Sequence, residues 1–288
     1  MITSRFTDNV LILGFFDGIH AGHRKVISLA VDFAAKKKAK TVVLTFPASP
    51  AEYFNSNFEY IYSRETDYKI LNDLGVSEIV ETDFSKLANL SAVEYLDMIT
   101  NKYNPIAIFS GFNYTFGKGK EGNSEFLKKY SESLGYEYYC IEPECRDNTI
   151  ISSTFIKLLI KQGNIKKANE FLCNVFSFSA KVIEGAHIGR TLGFPTANMH
   201  YPKEIVKLPY GVYKVKVMDR TAIANWGIKP TTERNEPTLE IHIPNYNEDL
   251  YGKTLNVEFI DKIRDEQKFD SIEDLKIQIE RDVEKCLR

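Results

Sequence analysis

Two histidines, His20 and His23, stand three residues apart in the segment VLILGFFDGIHAGH, residues 10–23. Residues three apart on a helix share a face, and a helix's first turn carries unpaired N–H groups and the positive end of its dipole. Both imidazoles and several amides can therefore converge on a phosphate. A metal site would need more His or Cys close by, and the nearest are far away in the sequence, so phosphate chemistry is the stronger reading. The positioning elements lie just upstream. The apolar run at residues 10–13 predicts a parallel strand buried on both faces, Gly14 lets a ligand approach the backbone, and Asp17-Gly18 makes the turn. The segment predicts a nucleotide site at the strand's carboxyl end.

Further chemistry-bearing groups recur downstream. Ser152, Ser153 and Thr154 precede an apolar-periodic helix, where hydroxyls cap the helix and, with free amides, can hold a phosphate. In GFNYTFGKGKEGN, Gly111, Gly117, Gly119 and Gly122 lie among aromatics and lysines. That composition fits a surface loop and a loop that closes over a ligand about equally. In EGAHIGRTLGFPTANM, a Gly-bounded turn carries Arg190, then the rigid Phe194-Pro195, then the polar pair Thr196 and Asn198. By itself this reads as an ordinary Gly/Pro loop with a solvated arginine. Glu240, in TLEIHIPN, sits where a strand's polar face points at ligand or water.

The elements alternate in the first half. A helix is predicted over 22–37, where Val26, Ile27, Leu29, Ala30 and Phe33 recur at helical spacing, followed by the strand of KTVVLTFPASP. Helices over 65–74 and 92–103 then flank the short apolar segment SEIVETDF, before the strand IAIFSGF. This rhythm predicts right-handed βαβ units and a parallel sheet with ligands at the strands' carboxyl ends. From about residue 176 the texture changes to short β-branched runs without intervening helices, as in an antiparallel barrel. One helix over 271–286, with Ile272, Leu275, Ile279 and Val283 on one side, is predicted to pack outside it.

Taken in order, GFFDGIHAGH resembles the HxGH signature of the nucleotidylyltransferase superfamily in its prokaryotic FAD synthetase branch. GFNYTFG resembles that family's G-x-[DN]-F-x-F-G segment with Tyr114 for Phe, and SSTFIK its SSTxIR signature with Lys157 in the Arg place. GRTLGFPTAN, with Glu240 downstream, resembles the riboflavin kinase motif. The resemblance spans nearly the whole chain and implies a bifunctional riboflavin kinase/FAD synthetase: a Rossmann-like nucleotidylyltransferase domain over 1–174 and a small antiparallel β-barrel kinase domain with a terminal helix over 175–288.

By resemblance, His20, His23 and Glu240 are catalytic. Gly14, Phe15, Asp17, Gly22, Ser152, Ser153, Thr154, Lys157, Gly189, Arg190 and Thr196 bind ATP or phosphate. Asn113, Phe116, Gly117 and Asn198 serve the substrate, and Thr196 also takes magnesium. Lysine at 157 keeps charge but loses the bidentate fork. The family's FDPHP segment reads FPASP here, and Ile188, Thr232 and Asn245 depart from the barrel pattern.

The implied partners are riboflavin, FMN, ATP and Mg2+, with flavins as substrate and product rather than resident cofactors. Two alternatives stay open: an FAD synthetase with a weakened kinase half, and a non-catalytic flavin-binding regulator. A nicotinamide or pantetheine adenylyltransferase would explain only the first half. The formal charge is −2 with no basic stripe, which does not favour a nucleic-acid partner. Cys140, Cys145, Cys173 and Cys286 fit neither CxxC spacing nor a disulfide framework, and predict reduced thiols in a cytoplasmic protein. No stretch approaches the roughly 18 apolar residues of a membrane span, and no signal peptide is expected. The sequence leaves the oligomeric state open.

Overall fold

The computed structural model describes residues 8–54, 58–185, 189, 193–228, 237–246 and 248–287. It contains two compact units, Met1–Phe58 with Ser63–Ser153, and Glu59–Tyr62 with Thr154–Arg288.

The first unit is built on five parallel strands in the order β3-β2-β1-β4-β5, where β1 is Asn9–Leu13, β2 Lys40–Thr45, β3 Glu78–Glu81, β4 Pro105–Gly111 and β5 Glu137–Ile141. The expected alternation of strand and helix is present. Helix α1 (Ala21–Lys37) follows β1, α2 (Pro50–Phe54) and α3 (Arg64–Asp73) follow β2, α4 (Ala92–Tyr103) follows β3, and α5 (Ser124–Leu134) follows β4.

Val10, Leu11 and Ile12 are fully buried, as a central strand covered on both faces requires. Leu11 and Leu13 join Tyr95, Leu96 and Ile99 of α4 in one apolar cluster. The pleat sends Val10 and Ile12 to the other face, and α1 lies against β1. The strand order reverses direction between β1 and β4, so their carboxyl ends diverge into a crevice, the usual ligand position of such sheets. The short strands β6 (Cys145–Arg146) and β7 (Thr149–Ile150) form a separate hairpin.

The second unit starts with two helices, α6 (Ser153–Lys161) and α7 (Ile165–Leu172), separated at Gly163, whose φ of 75° no helix continues through. A closed antiparallel barrel follows, in the order β10-β11-β12-β9-β8-β13. These strands are β8 (Ser177–Ile183), β9 (Ala197–Met199), β10 (Gly211–Val217), β11 (Arg220–Ile228), β12 (Pro237–His242) and β13 (Thr254–Asp265). Closure leaves no free strand edge.

Packing divides the units ahead of the junction near residues 173–176 expected from sequence texture, because α7 is fastened to the barrel. Asn169 donates to the Phe259 carbonyl at 2.9 Å and accepts from the Phe176 amide at 2.8 Å, and Lys166 pairs with Asp261. Residues Glu59–Tyr62 also join this unit, through bonds between Tyr60 and the backbone of Glu204 and Val206.

The terminal helix α8 (Ile272–Leu287) packs on the barrel's outer face, where Cys286 and Val283 cover Val212 and Ile223. That contact buries Val212, which shares its strand face with the half-buried Lys214 and Lys216. The expected stripe is corrected at its start. Ile272 is 71% exposed, being the first residue of the helix, while Asp282 is buried through bonds to Arg264 and Gln278. Among the described residues no helix is long and apolar enough to cross a membrane, and all four cysteines are free thiols.

Candidate active sites at the sheet crevice and the barrel

In the first unit the histidine pair sits where β1's carboxyl end turns into α1. His20 is the N-cap: its Nδ1 accepts from the amides of Gly22 at 3.2 Å and His23 at 3.4 Å. Since Nδ1 is an acceptor, the neutral ring carries its proton on Nε2, which becomes the donor left for a ligand. The expected cluster of free amides is thereby modified: two of them are committed to His20.

The His20 and His23 rings stack with centroids 3.8 Å apart, and Phe16 meets His23 edge-on at 5.2 Å. Burial lowers the His20 pKa to about 4, and burial together with His20 holds His23 well below its usual value. Both rings are therefore neutral near pH 7 in the free protein, and an arriving phosphate supplies the charge that favours the imidazolium form. His23 Nδ1 is buried with no hydrogen-bond partner among the described residues.

Two glycines make this packing possible. A Cβ on Gly22 would lie 3.1 Å from His20 Cε1, and one on Gly14 would lie 2.9 Å from the Phe16 ring. The turn between strand and helix is left-handed at Gly18 (φ 82°) and at Ile19 (φ 37°). Asp17 is buried in it, and its carbonyl accepts from Ser153 Oγ at 2.8 Å. Phe15 lies over the Arg64 guanidinium. Thus Gly14, Phe15, Asp17, His20, Gly22, His23 and Ser153 converge around one turn. Ser152 is half-buried just before Ser153; Thr154 is exposed on α6, and Lys157 lies one turn along it.

Sequence reasoning missed Arg64 and Asp67 of α3. Asp67 is fully buried and accepts from the Gly18 amide at 3.0 Å, while Arg64 bonds the carbonyls of Phe16 and Phe46. Burial first, and then the neighbouring Asp17, hold the Asp67 carboxyl well above the usual carboxylate range. A signal was present: positions 64 and 67 continue the helical stripe of the buried Ile70 and Leu71, so two charges point at the core.

The glycine-rich loop after β4 is fastened in place. Phe116 and Gly122 exchange both backbone hydrogen bonds, Lys118 donates to the Leu90 carbonyl at 2.7 Å, and Glu121 accepts from the Ala92 amide at 2.7 Å. Phe116 is buried in the core against Tyr95 and Phe126. Gly117, at φ 74°, passes so close to α4 that a Cβ would lie 2.8 Å from the Ala92 amide nitrogen. Phe116 and Gly117 thus hold the loop, and Asn113 is one of its exposed polar residues. The extra hydroxyl of Tyr114 is satisfied by that of Tyr95 at 3.0 Å.

An aromatic surface also lies at the carboxyl ends of β2 and β3. Phe46, Tyr53, Phe54 and Phe84 meet with ring centroids 5.1–5.9 Å apart, and Phe54 is 77% exposed. The FPASP segment leads into it, with Ser49 Oγ accepting from the Ala51 amide at the start of α2.

In the barrel, register places Asn198 directly opposite Glu240, and Asn225 on Glu240's other side. Their neighbours Leu239, Met199 and Trp226 are buried, so alternation turns this polar row to the outer face. Asn198 is buried beneath Gly185, where a Cβ would collide with its amide. Gly189 lies against Phe194 and Thr196, accepting from the Phe194 amide at 2.7 Å.

A cavity of about 540 Å³ opens beside this row. Thr196, Tyr246, Glu248, Asp249 and Tyr251 supply its polar wall, and Val182, Ile241 and Ile243 part of its apolar wall. Thr196 borders the cavity, whereas Glu240 and Asn198 lie in the adjoining row. Arg190, Ile188 and Thr232 lie outside the described residues. Among the described residues no group of three or more His, Cys, Asp or Glu could hold a metal. The single hydroxyl of Thr196 instead suits magnesium, which keeps waters and phosphate oxygens as most of its ligands.

The comparisons with known proteins follow the same two-part division. The FAD synthetase family model matches residues 3–155 and the riboflavin kinase family model residues 172–288. A bifunctional riboflavin kinase/FMN adenylyltransferase of Buchnera aphidicola is 36% identical over 96% of this chain and 92% of its own length. Its namesake in Bacillus subtilis is 30% identical over 100% of this chain and 94% of its own. A solved Streptococcus pneumoniae structure, described as a macrolide-efflux protein, superposes with a TM-score of 0.89 at 34% identity, covering 96% of this chain and 93% of its own.

Proposed function

The chain belongs to the bifunctional riboflavin kinase/FMN adenylyltransferase family, and we propose how its residues divide the two reactions. It phosphorylates riboflavin to FMN and adenylylates FMN to FAD, with ATP as co-substrate of both steps. Adenylyl transfer is assigned to residues 1–174 and phosphoryl transfer to 175–288. The observation that carries the first assignment is the stacked His20–His23 pair at the carboxyl end of β1, with His20 held as the helix cap.

In adenylyl transfer, an oxygen of the FMN phosphate attacks the α-phosphorus of ATP, the bond to the bridging oxygen breaks, and pyrophosphate leaves. No covalent enzyme intermediate forms, so catalysis is positioning and charge neutralisation. His20 donates through Nε2–H, and both rings become better donors as negative charge arrives. The turn at Gly14, Phe15, Asp17 and Gly22 holds the triphosphate beside Ser152 and Ser153; phosphate binding is also assigned to Thr154 and Lys157. Asn113 contacts substrate from the loop that Phe116 and Gly117 fasten. The isoalloxazine ring lies on the Phe46, Tyr53, Phe54 and Phe84 surface, whose exposed flat rings suit stacking.

In the barrel, Glu240 accepts the proton of riboflavin's terminal hydroxyl as its oxygen attacks the γ-phosphorus, and ADP leaves. Gly189, Arg190, Thr196 and Asn198 bind the nucleotide and orient the acceptor. Thr196 would hold magnesium together with the phosphate oxygens, and the ion would supply neutralisation of the phosphate charge.

Isotopically labelled ATP tests this division. Label in the γ-phosphate is expected to enter FMN made from riboflavin, and label in the α-phosphate to enter FAD made from FMN. Transfer of α-label into FMN, or of γ-label into FAD made from FMN, would contradict the assignment.

A further inference from the structure

Arg64 opens α3, yet its guanidinium reaches away from the helix to two loops. Nη1 donates to the Phe16 carbonyl at 3.1 Å and to Asp67 Oδ2 at 3.3 Å, while Nη2 donates to the Phe46 carbonyl at 3.0 Å and to Tyr68 OH at 3.2 Å. The charged plane also lies 4.8 Å from the Phe15 and Tyr68 ring centroids. Its partner Asp67 holds the Gly18 amide at 3.0 Å. The pair therefore fastens the turn that carries His20 at two points, and ties it to the first residue of the aromatic surface.

That turn needs fastening. Ile19, immediately before His20, is β-branched at φ 37°, a strained conformation that persists only where surrounding contacts over-determine it. A buried ion pair is a poor way to add stability, because desolvation offsets most of its attraction. What the guanidinium supplies is geometry: one rigid fork bonds the Phe16 and Phe46 carbonyls at once, which a single ammonium cannot reproduce.

We propose that Arg64, seated by Asp67, is a positioning residue for adenylyl transfer, fixing the His20 turn relative to the aromatic flavin surface so that the acceptor phosphate meets the α-phosphorus in line. The inference rests on the adenylyl-transfer reading given above. It places Arg64 in contact with neither substrate, so its removal acts on the alignment of bound reactants rather than on their affinity.

The test is steady-state FAD formation from FMN and ATP by Arg64→Ala and Arg64→Lys, with riboflavin phosphorylation by the same preparations as an internal control. A misplacement of about 1 Å costs on the order of 100-fold, so kcat of Arg64→Ala is expected to fall roughly 30- to 100-fold, with both KM values within about 3-fold of wild type. Arg64→Lys is expected to remain well below wild type, and methylguanidinium to restore part of the Arg64→Ala turnover. Kinase activity is expected to be unchanged. Should Arg64→Ala not fold, Arg64→Lys decides by the same split. An unaltered kcat in a folded variant, or a loss confined to KM, would overturn the clamp while wild-type FAD synthesis stood. A wild-type protein making no FAD from FMN would instead overturn the reading beneath it.

Discussion

The crevice of the parallel sheet and the outer row of the barrel set their reactive groups by different means. At the crevice, His20 and His23 are placed by their own chain: a strand end, a left-handed turn, a cap and a stack within residues 10–23. In the barrel, Thr196 and Asn198 come from β9 and its approach, Glu240 from β12, and the Asn198–Glu240 pairing exists only because of strand register. A one-residue slip there would turn the pair to the other face. Local spacing builds the first site and the Arg64–Asp67 pair fastens it, whereas strand pairing itself builds the second.

The largest effects should separate the two sites. His20→Ala removes a ring that caps α1 and, in the proposed reaction, faces the phosphates, so FAD formation from FMN should fall at least about 100-fold, as for loss of one charge-stabilising donor, with FMN formation spared. Glu240→Ala should lower riboflavin phosphorylation by about 100- to 10,000-fold, the range for a general base, and spare FAD formation from supplied FMN. Loss of both activities in either folded variant would collapse the distinction.

A smaller effect belongs to Gly117. A methyl group there meets backbone at 2.8 Å in a conformation with φ of 74°. Gly117→Ala should therefore cost about 1–3 kcal/mol of first-unit stability, read by denaturant unfolding. Unchanged stability would mean that the loop is not pinned to α4.

An effect of similar size, but dependent on pH, sharpens the role of His20 as a cap. Its folded pKa is lowered to about 4 from 6.5, so between those values the unfolded chain binds a proton that the native state refuses, and stability contributed by the neutral ring is lost as pH falls. His20→Asn keeps a good cap acceptor without the titration. The stability of wild type relative to this variant should drop by up to roughly 3 kcal/mol from pH 6.5 to 4. A pH-independent difference would contradict a neutral, buried ring.

The same contrast explains how much could be read from the chain. GFFDGIHAGH was legible because the cap, the stack and the glycine contacts that shape it lie within one short run, and the alternating rhythm of the first half matched the parallel sheet. Arg64 and Asp67 were not, since SRETD also reads as an ordinary capped helix start and its partners Phe16 and Gly18 lie some 50 positions upstream. The aromatic surface escaped for a related reason: Phe46, Tyr53, Phe54 and Phe84 come from three segments gathered by the sheet. For the glycine loop, composition left closure and surface loop equal, and the bonds from Lys118 and Glu121 to the start of α4 show that it is held. The barrel's strands were legible as alternating β-branched runs, but the burial of Val212 required knowing where α8 would land.

The central claim is that one chain carries two successive transfers to a flavin at two separately built sites. It is tested most directly by incubating the protein with riboflavin, ATP and magnesium and separating the flavins over time, beside a reaction started from FMN. FMN rising first and FAD following from riboflavin, with FAD appearing without lag from FMN, is the predicted result. FAD from FMN with nothing formed from riboflavin would contradict the account of the barrel, and no product in either reaction would contradict both sites.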